Sequence, residues 1–326
     1  MTYKQKIKGS FINSWNLALW CVSALRFGTL FPGIKQVTPQ NKKRLFVIGN
    51  GPSVNADIAG FEKSLSCEDV MMVNQALTSP LAFEIKPKYY VLMDPFYMGI
   101  YDENAGVDFK SRVDMLNEAF VKVDWEMYLF VSYTHYKRRI SGRCIEVENN
   151  FIKVCTFNAL ELYSFKSLQK FFYKHNFALP SAINVLIAAL SCGVVLAYKE
   201  IYLLGANSDW HKQLSVDSQN RLYTYDAHYY DGGVPEKIFS NYTVAFVFKN
   251  ITKAFRAYEE LGKMSFNITN CTSESMIDAF PRMSLEKIFS GGGGNVVFLK
   301  ALRNVFFQPL NIPKTSKACN SHLRIA

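Results

Sequence analysis

The densest group of side chains able to move protons is Tyr223, Tyr225, His228, Tyr229, Tyr230 and Asp231. A histidine between carboxylates, here Asp226 and Asp231, suits removal of a proton from a hydroxyl near neutral pH. The group falls in residues 212–241, where hydrophobic periodicity is lost and Asp, Gly, His and Tyr dominate. Inside a compact domain such a segment reads as a lid or binding loop, about 207–241, with a hydrogen-bonded surface loop and a structural histidine as the plain alternative.

A second set of residues could hold a ligand. Gly49-Asn50-Gly51-Pro52-Ser53 follows an apolar run and makes a turn tight enough for backbone N–H groups to meet a phosphate or ribose; a purely structural βα turn is the competing reading. Val54 stands where a dinucleotide fingerprint has its third glycine, and Asn74-Gln75 stand where its ribose-gripping acid belongs. Paired neutral amides read a base or sugar edge without repelling an anionic ligand. Asp94 places one carboxylate after a further apolar run, for a ligand or for a turn. Ser181, after Pro180 and ahead of a helical segment, either caps that helix or presents its hydroxyl to a phosphate. The sequence holds no D-x-D, H-E-x-x-H, G-x-S-x-G or G-x-x-x-x-G-K-[ST] pattern, so a metal-held nucleotide sugar and P-loop chemistry are disfavoured and no metal or cofactor is expected.

The elements that must position these residues alternate. Near-continuous apolar runs at residues 44–48, 70–73, 89–93, 128–131 and 201–204 predict buried strands, and residues 109–121, 159–173, 181–196 and 244–261 predict helices. This order predicts an α/β fold, a doubly wound and mostly parallel Rossmann-like sheet in residues 44–290, with a smaller lid and a ligand site outside the carboxyl ends of the strands.

Together these pieces resemble one family, the bacterial lipooligosaccharide sialyltransferases of glycosyltransferase family 42. The resemblance rests on Gly49-Asn50-Gly51-Pro52-Ser53, Asn74-Gln75, Pro95, Ser181, the stretch from Tyr198 through Gly205, and His228-Tyr229, in that order over about residues 44–289. It implies an inverting, metal-independent glycosyltransferase that uses CMP-sialic acid or a related CMP-linked 2-keto sugar, acts on a cell-surface glycan or glycolipid, and works at the cytoplasmic face of the bacterial inner membrane in lipopolysaccharide or capsule assembly. By the same resemblance Asn50, Gly51, Asn74 and Gln75 contact the donor, Ser181 lies near its phosphate or carboxylate, and Asn207 and Asp209 stand where the family has an acid and a phosphate-binding tyrosine. Gly232 occupies the place of the family's catalytic histidine, which passes the role of base to His228, with Asp231, Tyr223 and Tyr225 in support. Ala178-Leu179-Pro180-Ser181 departs from the family's Arg-x-Thr-Ser. The alternatives from other classes are a pyrophosphokinase-like phosphate-binding enzyme, for which Asp94 and Asp209 make a poor magnesium site, and a non-catalytic membrane-attached assembly subunit.

Charge bounds the partners. The 326 residues carry a net +10, with +8 and no acid in residues 1–44, +5 and no acid in residues 291–326, and −3 between them. Both basic ends also carry apolar stretches, which points to an anionic membrane surface rather than to nucleic acid. Residues 11–31 are too interrupted by polar residues to read as a spanning helix; an interfacial amphipathic helix, with Trp15 and Trp20 at headgroup depth, competes with a helix docked on the body and with a signal or spanning segment. Residues 291–294, four glycines, read as a joint to a second weak amphipathic basic tail, which a second copy of the chain is the alternative to bury. Seven scattered cysteines without a C-x-x-C pair suggest neither a disulfide framework nor a zinc site, and fit a reducing cytosol.

Overall fold

The computed structural model describes residues 3–39, 43–101, 108–226, 229, 236–240 and 242–290, without the side chains of residues 3–7, 226 and 236–238. His228, Asp231 and the tail after residue 290 lie outside the described residues.

The fold is α/β. Seven strands, β1 (Arg44–Ile48), β2 (Asp69–Val73), β3 (Tyr89–Leu92), β4 (Met127–Ser132), β5 (Ile152–Phe157), β6 (Glu200–Leu204) and β10 (Ile268–Asn270), form one parallel sheet in the order β10-β6-β1-β2-β3-β4-β5. From β1 the chain runs outward through β5, then crosses back to place β6 on the other side of β1. The order therefore reverses between β1 and β6, where the loops leaving the two carboxyl ends diverge and open a crevice.

Helices cover the sheet. Right-handed crossovers put α2 (Val54–Ile58), α3 (Glu62–Leu65), α4 (Pro80–Ile85) and α5 (Phe109–Val121) on one face and α7 (Lys166–Lys174), α8 (Val185–Val195) and α9 (Val244–Lys263) on the other; the short α6 (Tyr133–Lys137) follows β4. Leu45 and Val47 of β1, Met71 and Val73 of β2, and Tyr89 and Val91 of β3 share a core with α8. Most of α8 is buried, which suits its apolar sequence VLIAALSCGVV, since a helix apolar all round must lie inside. Each such Leu or Ile contributes about 1.5–3 kcal/mol on leaving water.

The strand at residues 152–157 and the three-residue β10 carry no apolar run of their own: β5 exposes Lys153 and Val154 at the sheet edge, and β10 is Ile-Thr-Asn. The helix expected over 159–173 begins only at Lys166, because residues 159–165 run extended and Glu161 bridges Leu179. The helix expected from Ser181 begins at Val185, capped by Asn184, whose Oδ1 accepts from the Leu186 N–H at 2.8 Å.

Part of the segment read as a lid is itself regular. β7 (Leu214–Val216), β8 (Leu222–Asp226) and β9 (Glu236–Ser240) make an antiparallel meander. The β7–β8 turn is held by Asp217, which accepts from the backbone of Gln219 and Arg221 and pairs with the Arg221 guanidinium; these contacts lower its pKa.

At the amino end, α1 (Tyr3–Phe27) is docked along one side. Asn16 donates to the Tyr163 carbonyl at 2.8 Å, Ser164 donates to the Asn13 carbonyl at 3.0 Å, and Trp20 packs on Phe172 of α7 at 4.6 Å. Trp20 thus belongs to the docked face, while Phe11, Trp15, Leu19, Val22 and Leu25 line the opposite, exposed face. Among the described residues no helix is long and apolar enough to cross a membrane. Cys21, Cys67, Cys144, Cys155, Cys192 and Cys271 are free thiols. The last element described is the short helix α10 (Leu285–Phe289).

Candidate functional site

The crevice at the β1/β6 reversal is a cleft of about 190 Å³. Its polar lining is dominated by neutral amides, Asn50, Asn74, Asn184, Asn207 and Gln213, with Asp209, Trp210 and Tyr225 at the same cleft. Of the residues singled out in the sequence, Asn50, Gly51, Asn74, Asn207, Asp209 and Tyr225 come together here.

The glycines let two loops interlock beneath it. A β-carbon on Gly49 would meet the Gly205 carbonyl oxygen at 2.5 Å, and one on Gly51 would meet Asn207 Oδ1 at 2.1 Å. Gly205 adopts φ +60, a left-handed conformation that an L side chain resists, and packs against Val54. The close approach is cemented by hydrogen bonds. Gly49 N–H donates to the Leu204 carbonyl (2.8 Å), Gly51 N–H to the Gly205 carbonyl (2.9 Å) and Ser53 N–H to Asn207 Oδ1 (3.4 Å). The expectation that the backbone N–H groups of Gly49, Gly51 and Ser53 face a phosphate is therefore corrected: they are taken up by the loop after β6. Ser53 Oγ lies 2.8 Å from Asp57 Oδ2 and 2.9 Å from Asn207 Oδ1, and Asn207 Nδ2 donates to the Glu274 carbonyl at 2.7 Å. Asn207 is thus a staple between loops as well as part of the cleft wall.

Asn74 and Gln75 turn in different directions. Asn74 sits at φ 49, which Asn tolerates better than most residues, at the end of β2 and faces the cleft. Its Nδ2 donates to Asp94 Oδ2 at 2.8 Å, and its backbone carbonyl accepts from the Tyr90 hydroxyl. With both contacts made, its Oδ1 is buried without a hydrogen-bond partner among the described residues. Asp94 is desolvated, which raises its carboxyl pKa against the lowering effects of Asn74 and Arg112. It orients Asn74 and is not part of the cleft lining. Gln75 is buried and donates instead to the Arg112 carbonyl of α5 at 3.0 Å.

Ser181 lies outside the cleft as well. It is fully buried, and its Oγ donates to Glu161 Oε1 at 3.0 Å, while Glu161 Oε2 pairs with Lys253 at 2.7 Å. Asn184, three residues on, reaches the cleft in its place. Asp209 precedes the 3-10 turn Trp210–Gln213 and lies 3.6 Å from the Lys212 ammonium. Tyr223 and Tyr225 stand on the same side of β8 with rings edge-on at 5.7 Å, and Tyr223 packs further on Phe239 of β9; of the two, Tyr225 lines the cleft.

Tyr229 is a component that the sequence reading left among the loop tyrosines. Its N–H donates to the Asn50 carbonyl (3.4 Å), its own carbonyl accepts from Asn55, and its hydroxyl lies 3.2 Å from Ser79 Oγ. Burial pushes its phenol up to about 12. Asn184, Trp210 and Gln213 were missed too. Asn184 was legible as an Asx N-cap ahead of an apolar helix; no local signal pointed to the other two. Among the described residues no group of three or more His, Cys, Asp or Glu side chains is placed to hold a metal ion.

No family model matches the sequence, and no curated protein matches it. Among solved structures the chain is similar to the MAf glycosyltransferase from Magnetospirillum magneticum AMB-1, at 15% identity and a TM-score of 0.40 over 76% of this chain. The match spans 34% of that protein's length, about a third.

Proposed function

We propose that the chain is an inverting glycosyltransferase that moves sialic acid or a related 2-keto sugar from a CMP-sugar to a glycan or glycolipid acceptor, without a metal. The observation that carries the reading is the amide-lined cleft at the strand-order reversal, in whose lining residues Asn74 Oδ1 and Gln213 Oε1 are buried acceptors without a hydrogen-bond partner among the described residues. A nucleoside offers donors to them, as ribose hydroxyls or an exocyclic amine, and the aromatic faces of Trp210 and Tyr225 suit a base or sugar ring. In this reading Asn50 and Asn74 recognise the donor, Tyr225 and Tyr223 support the departing phosphate, and Asp209 bounds the sugar. His228 takes the acceptor's proton as the anomeric centre inverts through an oxocarbenium-like transition state, and Asp231 orients it. Support for His228 comes from its covalent neighbour Tyr229, which is seated on Asn50. The resemblance to family 42 in the G-N-G-P-S and N-Q pieces points to CMP.

The exposed face of α1 supports a peripheral, monotopic attachment to an anionic membrane: Phe11, Trp15 and Val22 are 71%, 58% and 66% exposed in a segment that carries basic residues and no acid. Deletion of residues 1–40 should release the protein from anionic vesicles, and retention there would move the anchor elsewhere.

The deciding experiment is a thermal-shift screen against CMP, CMP-sialic acid, UDP- and GDP-sugars and ATP, with magnesium or excess EDTA, followed by a transfer assay on the best donor. Stabilisation by CMP compounds that persists in EDTA is the expected result. Magnesium-dependent stabilisation by ATP would instead favour a pyrophosphokinase, and nucleotide binding without transfer would favour an assembly subunit.

A further inference from the structure

A cavity of about 740 Å³ lies at the opposite edge of the sheet from the cleft, beside the amino ends of β6 and β10. Lys35, Lys170, Lys174, His175 and Lys199 line it, and no acidic residue stands among its described lining. Four ammonium groups from three separate segments, the 3-10 turn Gly33–Gln36, the α7 helix twice over its last turns, and the α8–β6 turn, thus share one concavity.

Two observations bear on what these lysines do. The first is that two of them lie against aromatic rings: the Lys35 ammonium sits 4.0 Å from the centre of the Phe177 ring and that of Lys170 5.7 Å from the Phe266 ring, and burial lowers the Lys35 pKa. The second is that they are unused. Among the described residues none of the four makes an ion pair or side-chain hydrogen bond, whereas Lys86, Lys88, Lys110, Lys153, Lys212, Lys253 and Lys263 all pair with carboxylates.

The competing explanation is the helix dipole. The carboxyl ends of α7, α8 and α9 all come to this edge, and cations offset their partial negative charge. The last carbonyls of these helices are already satisfied by backbone, however. Asn176 and Phe177 N–H donate to Tyr173 and Phe172, Ala197 and Tyr198 to Val194 and Gly193, and Ser265 to Gly262. Ala197 and Ser265 hold left-handed φ values of 62 and 57 to close these turns, and both line the cavity. The ammonium heads are left for something else.

We propose that this cavity is a second binding site, for a phosphate-bearing anion carrying two or more charges, either a lipid headgroup or a soluble polyphosphate. Lysines, as point charges without the planar fork of arginine, suit a phosphate cluster better than a single carboxylate. The site is independent of the nucleotide cleft.

The test uses the full chain. Binding of inorganic pyrophosphate is measured by calorimetry at low and moderate salt, and cosedimentation is measured with vesicles of phosphatidylglycerol or of phosphatidylcholine alone. Lys170→Gln/Lys174→Gln should weaken pyrophosphate binding by about tenfold or more, with Lys199→Gln as a milder second variant, while affinity for CMP in the cleft stays within about twofold. Loss confined to pyrophosphate assigns a soluble ligand; loss of phosphatidylglycerol binding that pyrophosphate also competes away assigns a lipid headgroup. Unchanged binding of both probes in both variants overturns the proposal, and a drop in thermal stability with unchanged anion binding assigns the lysines to the helix ends alone.

Discussion

The two edges of the seven-stranded sheet handle polarity in opposite ways. At the carboxyl edge Ser53 is hydrogen-bonded to Asn207 and Asn74 to Asp94, so the polar groups around the cleft are largely fixed amides, with Asn74 Oδ1 and Gln213 Oε1 as buried acceptors without a partner among the described residues. At the amino edge four lysines are engaged with nothing polar among the described residues, so that cavity offers charge without fixed hydrogen-bond geometry. Hydrogen-bonded amides discriminate by leaving a wrong ligand's partners unsatisfied, whereas ammonium groups act as point charges that attract any anion. The contrast also shows what the cleft lacks for an anionic donor. Among the described residues no lysine or arginine lines it, so in the proposed transfer the departing phosphate would rely on the tyrosine hydroxyls and on the segment that carries His228.

The largest effect that tests this contrast is kinetic. His228→Ala should lower sugar transfer by about 10²- to 10⁴-fold while leaving CMP affinity unchanged, and the wild-type rate should rise with pH across the histidine range. Full activity in the variant would make the carboxyl edge work without that histidine and turn attention to Asp231, His211 or Asp209.

Next comes the interlocked turn. Gly51→Ala drives a β-carbon into Asn207 Oδ1 and to within 2.7 Å of the Gly205 carbonyl, where backbone cannot give way. It should cost about 1–3 kcal/mol in urea denaturation. Gly9→Ala, with nothing within 4 Å on the exposed helix α1, should instead stabilise by up to about 1 kcal/mol. Similar costs at the two glycines would undo the argument from close approach.

A smaller effect separates the neighbouring amides. Asn74→Ala should weaken nucleotide binding by about tenfold, and Gln75→Ala should leave it unchanged, because Gln75 serves α5. If Gln75 matters as much, the ligand extends beyond the cleft. Neither substitution should alter pyrophosphate binding at the amino edge.

Asp94 gives the smallest and most specific effect. Burial raises its pKa in the folded chain, so the native state holds the proton more tightly than the unfolded state does. Stability from this group is present below the ordinary carboxylate range and declines as pH rises through that range to the raised native value. Asp94→Asn keeps an oxygen to accept from Asn74 and should flatten that part of the stability–pH curve. An unaltered curve would mean that Asp94 is solvated.

The parallel core is legible in local sequence. The buried strands β1, β2, β3, β4 and β6 announce themselves as apolar runs because both faces of a central parallel strand must leave water, and α5 and α9 because an amphipathic helix repeats its apolar face. The G-N-G-P-S turn and the loop after Gly205 were legible as the rim of a site for the same reason, since they follow those strands. Edge strands β5 and β10 were not: β5 is partly exposed along its free edge, and β10, though buried, is only three residues long. Which way each polar side chain turns was settled by packing. It sent Asn74 into the cleft and Gln75 to α5, took Ser181 to Glu161 and the turn's amides to the loop after β6, and gathered Lys35, Lys170, Lys174 and Lys199, far apart in the chain, around one cavity. Local sequence sets where a chain turns and which face is apolar. The partner that satisfies a buried polar group comes from a distant segment, and that choice is made only when the segments pack.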